Sequence, residues 1–198
     1  TTARSTESTT SVSQRTVTDA TGRNVPLPEG IEDIVAVGPG SLNLVCYLDA
    51  ADMVVGVEQN ERKWGTNIPY NIANPELRDK PIIGPHRGGD PELITEADPD
   101  VILATYVTAR TAEKLQGAVE RPVVVVKTQG HPLHRVEGFY SDLAFVGDVI
   151  GRTARAKTVI EFVRSEKRRL NELTEDVQVD ERVFLAGRSD TGGASVTS

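Results

Sequence analysis

Three short apolar runs with no polar residue inside them, Ile34–Val37 (IVAV), Val101–Ala104 (VILA) and Val123–Val126 (VVVV), set the strongest limit on how this chain folds. A strand with one wet face alternates apolar and polar residues, whereas a continuous run needs apolar cover on both faces. Met53–Val57 (MVVGV) and Pro81–Gly84 (PIIG) read the same way. Helical stretches separate the runs. Ser41 is placed to cap a helix continuing through Leu42, Leu44, Val45 and Leu48, and Asp90 stands before Pro91 as an N-cap with proline at the first helical position. A further helix is expected over Ala112–Val119. Strands that alternate with helices and need cover on both faces predict an α/β sandwich with a mostly parallel sheet flanked by helices.

The flanks divide the chain further. Residues 1–14 are mostly Thr and Ser and read as a flexible tether, because they cannot bury enough surface to offset their ordering entropy. Arg15–Val25 alternates and turns at Thr21-Gly22, which predicts a small hairpin. Phe139–Ile150 is helical, and a long helix is expected from Thr153 to about Thr174. Its apolar stripe is Ala156, Val159, Ile160, Val163, Leu170 and Leu173; the Glu166–Arg169 charge run lies on the solvated face. Arg182–Ala186 reads as a new strand followed by a glycine-rich loop, Gly187–Ser198. The expected organisation is therefore a tether (1–14), an amino-terminal lobe (15–150), a connecting helix (151–176) and the start of a second α/β lobe (177–198). A domain would not end on a strand just begun, so the chain is expected to be a fragment, and with Thr1 in place of Met it is expected to begin after something was removed.

Composition closes off several classes of function. A net charge of −7 opposes a nucleic-acid surface, which needs a basic patch, and suits an anionic membrane poorly. One cysteine, Cys46, excludes an intramolecular disulfide framework and a cysteine-rich zinc site. Because it shares an apolar helix stripe with Val45 and Leu48, it reads as an inert buried thiol. The chain has no GxxxxGK[ST], GxSxG or HExxH, and Gly84–Gly89 lacks the spacing of a dinucleotide loop. No enzyme activity and no cofactor are expected; the alternatives are an enzyme or metal-processing protein on the same α/β architecture, or a non-binding interaction fragment.

Five segments in order carry a resemblance: TDATGRNVPLPEGIEDIVAVGPG, ADMVVGVEQN, NPELRDKPIIGPHRGGDPELITEADPDVILATY, RPVVVVKTQG and the long helix. Together they resemble the substrate-binding proteins that serve ABC importers of iron–siderophore, haem and cobalamin, from about residue 15 to the end. That resemblance implies two lobes with the ligand in the cleft between them, joined by a rigid helix that permits little hinging. It also implies an extracytoplasmic location, a lipid anchor on a cysteine upstream of Thr1, a metal chelate as ligand and importer membrane subunits as partners. In that class a surface glutamate on each lobe docks against arginines of the membrane subunits. Glu76, in NPEL, stands where the first-lobe glutamate would be; a charge complementing a helix dipole after Pro75 fits equally.

The fold supplies an independent pointer, since ligands of open α/β sheets meet the loops at the carboxyl ends of the strands. Those loops are Gly38–Ser41, Glu58–Trp64, Pro85–Gly89, Thr105–Tyr106 and Thr128–His131. Pro39, Gly40 and Ser41 are ligand-binding candidates there, since glycine lets backbone N–H groups approach a ligand closely. Arg62 and Arg87 can pair with carboxylate, hydroxamate or catecholate oxygens, although a plain surface arginine remains open for each. Trp64 can stack on a flat ligand or plug its loop onto the core. Tyr106 can bond a ligand or pack half-buried, and His86 can bond a ligand, coordinate a metal or stay solvated. His131 and His134 flank Pro132, which breaks the helix that would align them, so they read as structural or surface residues.

Overall fold

A computed structural model describes residues 15–64, 67–86, 88–127, 136–176, 185–188 and 194–197, and the side chains of all but Trp64 and the last two segments. The tether, Arg87, the 128–135 segment with His131 and His134, and residues 182–184 of the expected last strand lie outside them. The chain divides into two compact units, one ending at Val163 and one beginning at Arg164.

The first unit opens on a hairpin of β1 (Arg15–Thr18) and β2 (Asn24–Leu27), paired antiparallel. Then come β3 (Ile34–Val37), α1 (Ser41–Tyr47), a 3₁₀ turn (Ala51–Met53) and β4 (Val54–Gly56). Next are α2 (Gln59–Trp64), α3 (Pro69–Ala73) and a second 3₁₀ turn (Pro75–Arg78). The unit is completed by α4 (Pro91–Ala97), β5 (Val101–Ala104), α5 (Ala109–Val119), β6 (Val123–Val125), α6 (Val136–Val149) and the first turns of α7 (Thr153–Thr174).

The sheet is parallel throughout, in the order β4-β3-β5-β6. An isolated parallel bridge between Val57 and Ile82 extends it beyond β4, so the expected 81–84 strand is present as a single bridge. The apolar runs do what their composition predicts. Ile34, Ala36, Val101, Leu103 and Val124 enter one core with α1, α6 and the start of α7. Their neighbours Val35, Val37, Ile102, Ala104 and Val125 enter the opposite core with Ile94 of α4 and Ala112 and Val119 of α5. Each Val, Leu or Ile side chain so removed from water contributes about 1.5–3 kcal/mol before entropy is counted, and each Ala less.

Edge strand β6 is closed off by the hairpin turn. Asp19, buried, accepts the Val125 N–H; the Ala20 N–H donates to the Val125 carbonyl and Arg23 donates to the Val123 carbonyl. An exposed edge would otherwise present these groups to another chain.

Four expectations need correction. The N-cap of α1 is Gly40 in left-handed conformation, not Ser41; the buried Ser41 hydroxyl turns back and donates to the Gly38 carbonyl at 2.8 Å. Residues 59–64 form a helix rather than a loop: Gln, Asn, Glu, Arg and Lys tolerate helix but give no apolar period to betray it. On α7, Ala156 and Ile160 are buried, but Leu170 and Leu173 are 55% and 66% exposed, since the first unit ends at Val163. The second unit contains β7 (Leu185–Arg188) paired antiparallel with β8 (Ala194–Thr197), where a glycine-rich loop was expected. The β-branched Val196 and Thr197 favour extended backbone there.

Candidate functional site

The strand order dictates where a ligand can enter. From β3 the chain moves outward through β4 to Ile82, then crosses to the other side of β3 to lay down β5 and β6. Helix α1 packs in the core on one face of the sheet and α5 in the core on the other, so the chain leaves β3 and β5 toward opposite faces; ligands of open α/β sheets meet the crevice at such a switch point.

Thr105 and Ser41 fasten one wall. The Thr105 hydroxyl donates to the Pro39 carbonyl at 2.9 Å and its N–H to Val37 at 3.0 Å. With the Ser41–Gly38 bond, they hold the Gly38–Gly40 loop against the end of β5. Gly38 has φ +87°, and a Cβ there would stand 2.6 Å from the Thr105 hydroxyl oxygen, so no other residue fits without a shift.

Next to this wall Tyr106 takes a left-handed backbone, φ 57°, and presents its ring 74% exposed. A non-glycine residue in that region is uncommon, although Asp49, Asp98 and Glu120 adopt it here as well. An exposed ring on a fixed backbone at the lip of a crevice can stack on a flat ligand or offer it a hydroxyl.

Glu58 forms the floor. It follows Val57, the bridge residue after β4, is 3% exposed, and accepts the Gly38 N–H on Oε2 and the Gly88 N–H on Oε1, both at 3.2 Å. His86, its side chain 33% exposed, brings Nδ1 within 3.4 Å of the same Oε2. One buried carboxylate thus ties together the loops after β3 and after the Ile82 bridge. The sequence reading included Glu58 only as the start of a loop; its signal was its place as the first residue beyond a buried apolar run.

Pro39, Gly40, Ser41, His86 and Tyr106 all lie on the carboxyl-end loops. Arg62 does not join them: its guanidinium donates to the Lys80 carbonyl at 2.8 Å, ahead of the Ile82 bridge rather than beyond it. Trp64 ends α2, and Glu76 is exposed on the Pro75–Arg78 turn. Cys46 is half-buried; burial, and then the negative charges of Glu61 and Glu76, push its thiol up to about 12, as expected of an inert group. Tyr70 donates to the Glu61 carboxylate at 2.9 Å, and burial together with that charge raises its pKa.

A groove of about 770 Å³ lies elsewhere, beside Arg15, Ile31, Asp52, Asp148 and Arg152. Its charges face one another, Arg15 with Asp148 at 3.1 Å and Arg152 with Asp52 at 3.7 Å, and it lies away from the strand ends that gather the crevice loops. Among the described residues no group of three or more His, Cys, Asp or Glu side chains is placed to hold a metal. No described helix is long and apolar enough to cross a membrane.

A doubly wound lobe with its switch point between β3 and β5 matches a known class. Residues 34–198 match the periplasmic binding protein family, and the chain belongs to it. It is 25% identical over 188 residues to the molybdate-binding protein MolA of Haemophilus influenzae, covering 87% of this chain and 53% of that protein. The structure of MolA bound to molybdate superposes with a TM-score of 0.70 at 23% identity, covering 86% of this chain and 56% of MolA. The petrobactin-binding protein YclQ of Bacillus subtilis gives 0.69 at 17% identity, covering 93% and 61%. The catecholate-siderophore binding protein VctP of Vibrio cholerae gives 0.65 at 18%, covering 93% and 61%. The chain thus spans little more than half the length of these relatives.

Proposed function

We propose that this chain is the amino-terminal lobe and connecting helix of an extracytoplasmic, lipid-anchored solute-binding protein that delivers a metal chelate of the iron–siderophore kind to an ABC-type importer. The observation that carries the reading is the Tyr106 ring exposed at the switch point of the sheet, in a chain of the periplasmic binding protein family. Relatives named for molybdate, petrobactin and a catecholate siderophore support small-ligand capture, and their description as binding proteins supports a role without catalysis. Pro39, Gly40, His86 and Tyr106 would face the ligand, with Arg87 and Trp64 as further contacts, while the buried Ser41 would hold the Gly38–Gly40 loop in place. Glu76, exposed on its turn, would dock against the importer's membrane subunits.

Thermal-shift screening of the two-lobed protein against ferric siderophores, haem, cobalamin and oxyanions tests the reading. A true ligand raises Tm by selective binding to the native state, by about 2.7 kcal/mol of stabilisation at a hundredfold excess over Kd. Tyr106→Ala should lose most of that shift while keeping the unliganded Tm, and Glu76→Lys should keep the shift but fail to stimulate the importer. No shift with any compound would overturn the assignment.

A further inference from the structure

We infer that Glu58 sets ligand class in this site: it excludes a bare tetrahedral oxyanion and leaves the crevice to a larger chelate. This rests on the importer reading above. A free oxyanion is held by convergent N–H donors in an enclosed pocket, and backbone amides on adjoining loops are a common source of them. The Gly38 and Gly88 amides, on two loops at the strand ends, are such a pair. Both are already given to Glu58, one to each carboxylate oxygen. The side chain is an internal anion seated where an external one would be bound.

Two physical consequences follow. An oxyanion seeking those amides must displace a carboxylate that is 3% exposed, stripping it of both donors in a buried place. An oxyanion seated beside it meets a like charge at short range, where the low dielectric of the crevice leaves repulsion poorly screened. His86 Nδ1, at 3.4 Å, is already turned to the same oxygen. A chelate escapes both penalties. Its charge is spread over a large body, and it can rest on the rim through Tyr106, 74% exposed, without using the floor amides. Glu58 acts through the two loops it ties and by its charge, as a positioning and excluding residue.

The test is calorimetric titration of the two-lobed protein with molybdate, tungstate and a panel of ferric siderophores, for the parent, Glu58→Gln and Glu58→Asp. The parent should bind a ferric chelate and show no molybdate binding at about millimolar concentration. Glu58→Gln, which removes the charge and frees an amide, should gain molybdate affinity by about tenfold or more. Glu58→Asp, which keeps the charge, should gain nothing. A purely structural role for Glu58 would give losses in both variants and gains in neither. Micromolar molybdate binding by the parent would overturn the inference and leave the importer reading standing, even if Glu58→Gln does not fold. A folded Glu58→Gln protein with no gain would overturn it as well. A parent that binds neither molybdate nor any chelate would instead bring down the importer reading.

Discussion

Replacing Asp19 by alanine should be among the most damaging single changes outside the apolar core. The carboxylate has no solvent exposure and accepts six hydrogen bonds: Thr21 N–H at 2.9 Å, Thr21 hydroxyl at 2.7 Å, Arg23 N–H at 3.1 Å, Arg23 Nε at 2.9 Å, Arg23 Nη2 at 2.6 Å and Val125 N–H at 3.3 Å. Alanine would strand backbone donors inside the hairpin turn and leave an Arg23 side chain only 12% exposed without its carboxylate. Breaking a buried pair from one side costs about 3–5 kcal/mol, because an uncompensated charge remains. At about 2–4 °C per kcal/mol for a chain of this size, Tm should fall by roughly 10 °C, read by circular dichroism at neutral pH. The double variant Asp19→Ala/Arg23→Ala should recover part of the loss, since it removes the stranded charge as well. A fall equivalent to less than about 1 kcal/mol would refute the reasoning, placing the pair among solvated surface ion pairs.

Acid unfolding supplies an independent check on the same residue. Burial by itself raises the Asp19 pKa, but hydrogen bonds from Thr21 and Arg23 outweigh it and hold the carboxyl below its ordinary 3.8. A carboxyl whose native pKa is depressed binds fewer protons folded than unfolded. Its contribution is therefore complete above the unfolded value and drains away as pH falls through the native one. The stability gap between parent and Asp19→Ala should be constant above about pH 5 and narrow below about pH 4.

Two further outcomes can be stated. Gly38→Ala should destabilise by about 2–4 kcal/mol in urea titration, combining left-handed strain at φ +87° with a Cβ 2.6 Å from the Thr105 hydroxyl oxygen and 2.8 Å from its carbonyl oxygen; an unchanged midpoint would mean the loop relaxes freely. Cys46, its thiol pushed up to about 12, should be alkylated at pH 8 about a thousandfold more slowly in the native protein than in urea, by mass spectrometry, and a native rate within tenfold would contradict that.

The parts of the fold that could be read from sequence are those whose physics is local. Ile34–Val37 and Val101–Ala104 form strands over the very residues of their apolar runs, because cover on both faces is written into consecutive positions. Asp90 caps α4 through the Glu92 and Leu93 N–H groups, a contact confined to three or four residues. The 59–78 region was opaque for the opposite reason: two short helices and a 3₁₀ turn are packed into polar sequence with no repeating apolar position. Their placement is decided by tertiary contacts, such as the Asn71 amide donating to the Glu61 carboxylate at 2.8 Å.

The crevice obeys neither rule alone. Its bonds join residues distant in sequence, Gly38 to Glu58, Glu58 to Gly88 and Thr105 to Pro39, so no window of sequence contains it. Yet Gly38, Glu58 and Thr105 share a local property: each is the first residue beyond an apolar run, after Val37, Val57 and Ala104. In a parallel sheet all strands end on the same side, so the first residue past each run arrives at the same edge. Such positions cannot all face water, because the neighbouring strand ends crowd them, and each must be very small or carry its own hydrogen-bonding answer. Gly38 meets that demand by having no side chain, Thr105 by bonding Pro39, and Glu58 by accepting two amides. The chemistry of a binding crevice in such a lobe is therefore most legible in the residue where hydrophobicity stops, more than in the glycines and arginines of the loops beyond.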